Sequence, residues 1–357
     1  YFDDDNKILT LDDTRDYEIF IKQKLVEMAT QRPQVTKDIL SKFHYNKAIV
    51  HPTNIIQDII ELFIQCKNND CLPMLAFNTD TQACKRLFTN LFETITQEEI
   101  NNYPYHYKIL EYKDELYSKY EDERKVFIEG IKISKNSKDA KSDKQGKIDK
   151  YDRRCQDKYI QDITNYYESC IHDCERGESE YKKLQIKNLK RELKEWYHNP
   201  TFGHIDIFQK HKEYCFTNKD PMSGDQIRGI RREIQKTLGI KISYEHELFQ
   251  MLKRGIGIYI ENMPDEYKWI LQKLMDKRAI GIVISDRTLC LGIDLPIRSS
   301  LLLGLPENNQ FTIDDYLQMS GRAGRRGKDD RGNTIFYNVD YLRLMKGELP
   351  DIIGRDK

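Results

Sequence analysis

The run Gln318-Met319-Ser320-Gly321-Arg322-Ala323-Gly324-Arg325-Arg326-Gly327 follows an apolar-periodic segment, Phe311 to Leu317. It precedes a short apolar one, Thr334-Ile335-Phe336-Tyr337. Arg322 and Arg325 stand three apart among small residues. Glycine and alanine let a backbone run close to a ligand and keep other side chains out of the way. What remains is a pair of permanently charged, fork-shaped donors suited to phosphate oxygens. Arginine- and glycine-rich runs also occur in flexible nucleic-acid-binding tails. A helical pattern before this run and a strand pattern after it place it instead inside a folded domain.

Upstream, Ile280-Gly281-Ile282-Val283-Ile284-Ser285 is a β-branched apolar run of the kind found in buried parallel strands. It leads into Thr288-Leu289-Cys290-Leu291-Gly292-Ile293-Asp294-Leu295-Pro296, then a second strand candidate, Ser300 to Gly304. Further back, Arg254-Gly255-Ile256-Gly257-Ile258-Tyr259 reads as a strand. It precedes an amphipathic helix from Glu266 to Arg278, with Tyr267, Ile270, Leu271 and Leu274 on one face. The earliest such element is Pro73-Met74-Leu75-Ala76-Phe77-Asn78-Thr79-Asp80, followed near Thr81 by a helix that buries Cys84, Leu87, Phe88 and Leu91. Asp80 also suits the N-cap of that helix.

Taken together, these segments resemble superfamily 2 helicases. The arginine run resembles motif VI, QxxGRxGR, in the GRAGRRG form of the superkiller-type DExH branch. Thr288 to Pro296 resembles motif V, and Phe77 to Asp80 resembles motif IV as found in the branch that includes the interferon-linked antiviral DExD/H-box helicase. The resemblance implies an α/β fold, a RecA-like parallel sheet wrapped by helices. It implies that Arg322 and Arg325 reach the γ-phosphate of ATP held by another RecA-like domain, with Gln318 helping to position it; such fingers stabilise charge on the transferring phosphoryl group. It also implies nucleotide contacts at Gly292, Asp294, Gly321 and Gly324, and nucleic-acid contacts at Asn78, Thr79 and Thr288. There are departures. Asp286 stands where the family usually has a threonine that touches the nucleic-acid backbone. A carboxylate facing phosphate is repulsive, so Arg287 or Ser285 is expected to take over that contact. Tyr259-Ile260-Glu261 stands where the family has a histidine-containing loop.

No G-x-x-x-x-G-K-[ST] run occurs, and Asp265-Glu266-Tyr267-Lys268 opens a helix rather than forming a DExH box after a strand. Without a phosphate-cradling loop and a magnesium carboxylate, the chain alone is expected not to bind or hydrolyse ATP well. ATP and Mg2+ would be held mainly by a first RecA-like domain. The chain opens on Tyr1-Phe2-Asp3 rather than methionine. The simplest expectation is the second RecA-like domain of a larger helicase. Residues 1–70 would then be a helical lead-in, 71–100 and 203–357 the domain, and 101–202 a helical insertion.

With 58 basic and 58 acidic side chains the net charge is zero, so nucleic-acid affinity requires a local basic stripe rather than a general polyanion surface. One candidate is the helix Gly224 to Leu238, where Arg228 and Arg231 can follow a phosphate backbone or pair with nearby acids. Eight scattered cysteines point to reduced thiols in a cytoplasm-like compartment, and no run approaches the ~20 apolar residues of a membrane span. The abundance of Asn, Ile, Lys, Asp and Tyr suits an AT-rich coding genome such as that of a giant DNA virus or a protist.

From Asn101 to Pro200 the chain is rich in Lys, Glu, Asp and Tyr. Tyr107 to Ile131 and Tyr151 to Trp196 read as helices pairing in an antiparallel hairpin, with Lys135 to Lys147 as a loop. Ile160, Ile163, Tyr167, Cys170 and Cys174 form the apolar stripe. The insertion is either an arm for a protein partner or nucleic acid, or a solvated helical insert. Cys170-Ile171-His172-Asp173-Cys174 invites a zinc reading, but on a helix His172 points away from both thiols, and no metal is expected. Near the start, Asp12 or Asp13 is expected to cap a helix carrying Ile19, Phe20, Leu25 and Val26. Thr53 is expected to cap one carrying Ile55 to Phe63. A reading from another class is a non-catalytic, helicase-like adaptor whose insertion recruits a partner such as a nuclease.

Overall fold

The computed structural model describes residues 11–42, 54–131, 140–176, 179–217, 222–290, 295–306, 311–324 and 332–339. The chain divides into two compact units, residues 1–51 and 52–357. The first holds α1 (Leu11–Gln31) and α2 (Pro33–Lys42). Pro33 opens α2, where its missing N–H removes no helical bond. Asp12 and Asp13 lie inside α1 rather than at its cap. Ile19, Phe20 and Val26, expected on this helix, are exposed.

In the second unit, α3 (Ile55–Asn68) is capped by Asn54, whose side chain accepts the Gln57 amide at 3.3 Å. Thr53, the expected cap, lies outside the described residues. Ile59, Ile60 and Phe63 of α3 are buried with the residues of the sheet, so this helix is part of the sheet's core.

Five strands follow: β1 (Met74–Phe77), β2 (Ile256–Tyr259), β3 (Ile282–Ser285), β4 (Ser299–Leu303) and β5 (Asn333–Tyr337). They form one all-parallel sheet in the order β2-β3-β1-β4-β5, with Ala76 paired to Ile284 on one side and Leu301 on the other. Strands β1 to β4 are buried along their whole length. That is why they read as continuous apolar runs rather than alternating ones.

Between β1 and β2 come α4 (Thr81–Asn102), α5 (His106–Gly130), α6 (Ala140–Glu175), α7 (Glu180–His198), α8 (Gly224–Leu238) and α9 (Glu247–Lys253). Helix α10 (Asp265–Asp276) links β2 to β3, and α11 (Ile313–Ser320) links β4 to β5. The β1-to-β2 connection crosses the sheet in one direction and the later connections cross in the other. Because parallel crossovers are right-handed, α4 lies on one face and α10 and α11 on the opposite one. The fold is therefore α/β, a RecA-like parallel sheet flanked by helices, as expected.

The insertion is three helices rather than a hairpin of two. Ser179 starts α7 by accepting the Lys182 amide at 3.3 Å, which divides the expected Tyr151–Trp196 helix. Residues 140–147, expected in a loop, are helical. The three helices have their own apolar cluster, built on Ile109, Tyr159, Ile163, Tyr167, Leu189 and Trp196. Cys170 and Cys174 are buried in it and His172 is exposed, and all eight cysteines are free thiols.

The insertion docks onto the end of α4. Side-chain amides of Gln185 and Asn188 donate to the Asn101 and Asn102 carbonyls at 3.0 and 2.8 Å, satisfying helix-terminal acceptors. One turn earlier, Glu99 pairs with Arg254 at 2.7 Å, both essentially inaccessible. The returning chain then passes Phe216 against the start of β3. A Cβ on Gly281 would sit 1.7 Å from the Phe216 carbonyl oxygen, so only glycine fits there. No helix among the described residues is long and apolar enough to cross a membrane.

Candidate functional site

The carboxyl ends of β1, β2 and β3 meet at Asp286. Its side chain is 3% exposed and accepts from the Thr81 hydroxyl at 2.7 Å, the Glu261 amide at 3.0 Å and the Thr288 amide at 2.9 Å. Burial alone would raise this carboxyl. Hydrogen bonds from Thr288, the Glu261 amide and Thr81 outweigh burial and hold it below the ordinary carboxylate range. Asp286 thus faces inward and binds three loops together, so its carboxylate is not turned out toward a nucleic-acid backbone, the contact that Arg287 or Ser285 was expected to take over. The Ser285 hydroxyl donates to the Tyr259 carbonyl at 2.7 Å and is fully buried, so it does not take over that contact either.

Arg287 extends outward and is held. Its guanidinium meets both carboxylate oxygens of Asp315 at 2.6 and 2.9 Å, with the arginine side chain 58% exposed. Asp315 closes a capping box with Thr312 at the start of α11. Burial pushes the Asp315 carboxyl up, but Arg287 and Thr312 draw it below its ordinary value. Thr288 is half-buried and turned toward Asp286.

Asn78 is fully buried. Its amide donates to the Leu303 carbonyl at 2.7 Å, its carbonyl oxygen accepts the Asp80 amide at 2.8 Å, and its own N–H donates to Ser285. It fastens the ends of β3, β1 and β4 to one another. Thr79 beside it is half-buried. Asp80 is the N-cap of α4, accepting from Gln82 and Ala83 at 2.7 and 2.9 Å.

Helix α11 carries the start of the arginine run. Met319 is buried beneath it, while Leu317 and Gln318 lie on its exposed side. Gly321 ends the helix, and Gly324 adopts φ +65°, a left-handed conformation that favours glycine. The Gly324 amide donates to the Ile297 carbonyl at 3.0 Å. A Cβ on Gly332 would lie 3.0 Å from the Ala323 carbonyl and the Gly324 Cα, so the loop packs flat against the chain entering β5. Arg322, half-buried, is near Cys290. Burial pushes the Cys290 thiol up to about 11, and the Arg322 guanidinium opposes that rise. Arg325, Gly292 and Asp294 lie outside the described residues.

The structure therefore brings together the segment after β3 (Asp286, Arg287, Thr288, Cys290) and the helix and turn before β5 (Asp315, Gln318, Gly321, Arg322, Gly324). It does not bring Arg228 and Arg231 there. Helix α8 packs on α9 and α10 toward the β2 edge, away from β5. Arg228 pairs with Asp225 at 2.6 Å, and Arg231 lies over the Tyr244 ring at 5.8 Å. Sequence reasoning missed Thr81 and Asp315. The Thr312-x-x-Asp315 spacing signalled the capping box, but nothing in the chain signalled its pairing with Arg287, 28 positions away.

No family model matches the chain. It is similar to an uncharacterized helicase of Caenorhabditis elegans, C28H8.3, at 24% identity over 350 residues, 94% of this chain and 17% of that protein. It is similar to the human probable ATP-dependent RNA helicase DDX60-like at 34% identity over 112 residues, 30% of this chain and 6% of that protein. The human exosome RNA helicase MTR4 matches at 33% over 118 residues, 30% of this chain and 11% of that protein. The chain spans less than a fifth of the length of these curated relatives. These similarities support a helicase of superfamily 2 and its superkiller-like RNA helicases as the group to which this chain is related.

Proposed function

We propose that this chain is the second motor domain of an ATP-dependent superfamily 2 nucleic-acid helicase. The observation that carries the reading is the path of the arginine run. A capped helix delivers Gln318 and Leu317 to an exposed side and then turns through glycines beside Cys290 of the preceding segment. A first RecA-like domain of the same polypeptide holds ATP and Mg2+, and Mg2+ there offsets phosphate charge. This chain supplies donors. Arg322 and Arg325 stabilise the γ-phosphate in the transition state when the domains close, Gln318 orients it, and Gly321, Gly324, Gly292 and Asp294 give close backbone and ribose contact. Repeated closure moves the loop ends at Thr79, Arg287 and Thr288 along one strand, with Asn78 fixing the strand ends behind them. Arg228 and Arg231 add sequence-independent phosphate contacts at a second location. The cellular setting is a reducing, cytoplasm-like compartment.

The alternative is a non-catalytic adaptor, favoured by the separate apolar core of the insertion, which can present a partner surface without the motor. Steady-state ATPase of this chain joined to a first RecA-like domain, with and without RNA and single-stranded DNA, tests both. Turnover stimulated by one polymer supports the motor and names its substrate. No turnover under any condition removes the motor reading in favour of the adaptor.

A further inference from the structure

Between the insertion, α3 and the returning chain lies a cleft of about 830 Å³, within the size range of small-ligand sites. Besides Lys212, which pairs with Glu195, four basic side chains on four different segments line it: Lys67 of α3, Lys113 of α5, Arg191 of α7 and Lys210 of the returning chain. None of the four makes an ion pair among the described residues. Lys67 donates to the Lys212 carbonyl at 2.5 Å, Arg191 to the Tyr103 hydroxyl at 2.9 Å and Lys210 to the Tyr107 hydroxyl at 3.2 Å.

Lys113 is the least satisfied. Its side chain is 8% exposed, and among the described residues its ammonium meets the Tyr167 hydroxyl at 3.5 Å and lies over the Trp196 and Tyr167 rings at 4.1 and 5.3 Å. The Trp196 indole N–H is itself buried and has no acceptor among the described residues. The acids of the cleft wall are already engaged: Glu195 with Lys212 at 2.6 Å, Glu192 with His211 at 3.2 Å and Glu213 with the Tyr103 hydroxyl. His106, Glu192 and His211 are close enough to suggest a metal. However, His211 Nδ1 accepts the Glu213 amide at 3.3 Å, so its proton sits on Nε2 and is donated to Glu192. That cluster is satisfied internally.

We propose that this cleft binds a phosphomonoester, the terminal phosphate of a nucleotide or of a nucleic-acid strand. A buried, unpaired ammonium is costly unless it loses its proton or gains an anion. Three lysines and an arginine lining one cleft fit the several oxygens of a phosphate better than the two of a carboxylate. Burial, against the pull of Glu192, lowers Lys113 to about 8, and burial with the nearby Arg254 lowers Lys210 to about 8. At pH 7 both amines therefore still carry their protons at a burial cost, and a bound dianion offsets that cost. The inference stands apart from the motor reading, because it uses none of the residues of the arginine run.

Isothermal titration of the full chain at pH 7 tests it, with inorganic phosphate, AMP, adenosine, and an oligoribonucleotide bearing either a 5′-phosphate or a 5′-hydroxyl. AMP should bind and adenosine should not. Lys113→Met and Arg191→Ala should each weaken AMP by about tenfold or more, and Arg322→Ala should bind as the unaltered chain does. A 5′-phosphorylated oligomer that binds much more tightly than AMP identifies a strand end as the source; equal affinities identify a free nucleotide. Circular dichroism monitors folding, and if Lys113→Met does not fold, Lys210→Ala takes its place. The proposal is overturned if no phosphate-bearing probe binds. It is equally overturned if the cleft substitutions leave binding intact, or if Arg322→Ala alone abolishes it.

Discussion

Arg287 and Asp315 form a two-pronged ion pair, at 2.6 and 2.9 Å, that ties the segment leaving β3 to the first turn of α11. Asp315 has a second duty, since its carboxylate also receives the Thr312 amide and hydroxyl at 3.0 and 2.8 Å. The pair and the cap therefore share one buried carboxylate. Asp315→Ala should cost about 1–3 kcal/mol, combining a lost cap with a lost charged hydrogen bond. Arg287→Ala should cost about 1 kcal/mol or less, because that side chain is largely solvated and the cap survives. Urea denaturation of both variants checks this; equal losses would show that capping contributes nothing.

Arg322 follows directly from the helix that this pair anchors. In a polypeptide that couples this chain to a nucleotide-binding first domain, Arg322→Ala should lower ATP turnover by roughly 10³-fold, with little change in nucleotide affinity. Steady-state ATPase and equilibrium nucleotide binding are the two readouts. Unchanged turnover would remove Arg322 from the reaction.

The Glu99–Arg254 pair lies where the insertion joins the sheet, and neither partner reaches solvent. Glu99 also accepts the His211 amide and the Tyr107 hydroxyl. Burial would raise its carboxyl, yet Arg254 and the His211 amide hold it below the ordinary value. Breaking such a pair leaves a buried charge uncompensated, so Glu99→Gln should destabilise by about 3–5 kcal/mol. Adding Arg254→Met should recover a substantial part. A double-mutant cycle in chemical denaturation measures the coupling, and strictly additive losses would sink the claim.

The buried amines give the stability a pH dependence of definite sign. Lys113 faces the Tyr167 hydroxyl, the Trp196 ring, Glu192 and Lys212, and burial takes its folded value to about 8 from an ordinary 10.5. Below about pH 8 both folded and unfolded chains hold the proton and the burial penalty is complete. Between pH 8 and about 10 the unfolded chain binds more protons than the folded one, so stability rises with pH. Above that, Tyr167, whose ionisation burial resists, acts in the opposite sense. The rise between pH 8 and 10 should be shallower in Lys113→Met than in the unaltered chain, as read by thermal melts without phosphate. An equal rise would mean that Lys113 is not the group involved.

The strands and most helices were legible because their signals are local. A strand buried on both faces needs an unbroken apolar run, and Met74–Phe77, Ile256–Tyr259 and Ile282–Ser285 each supply one. Helix α4 buries Cys84, Leu87, Phe88 and Leu91, the face expected from their spacing. The break between α6 and α7 was missed because the charged composition continues across it, although Gly177 is a helix-stop residue type and Ser179 caps the new start.

Thus the sequence by itself determined the parallel α/β architecture, the order of its motifs and the small-residue run around Arg322, all of which depend on neighbours a few positions apart. The tertiary structure decided what the polar side chains face. Asp286 is filled by Thr81 and Glu261, Arg287 is claimed by Asp315, and Lys113 is left in a cleft with no ion pair among the described residues. A carboxylate's partner or an amine's burial is set by groups that chain crossovers bring together from distant positions. No spacing along the chain encodes that meeting.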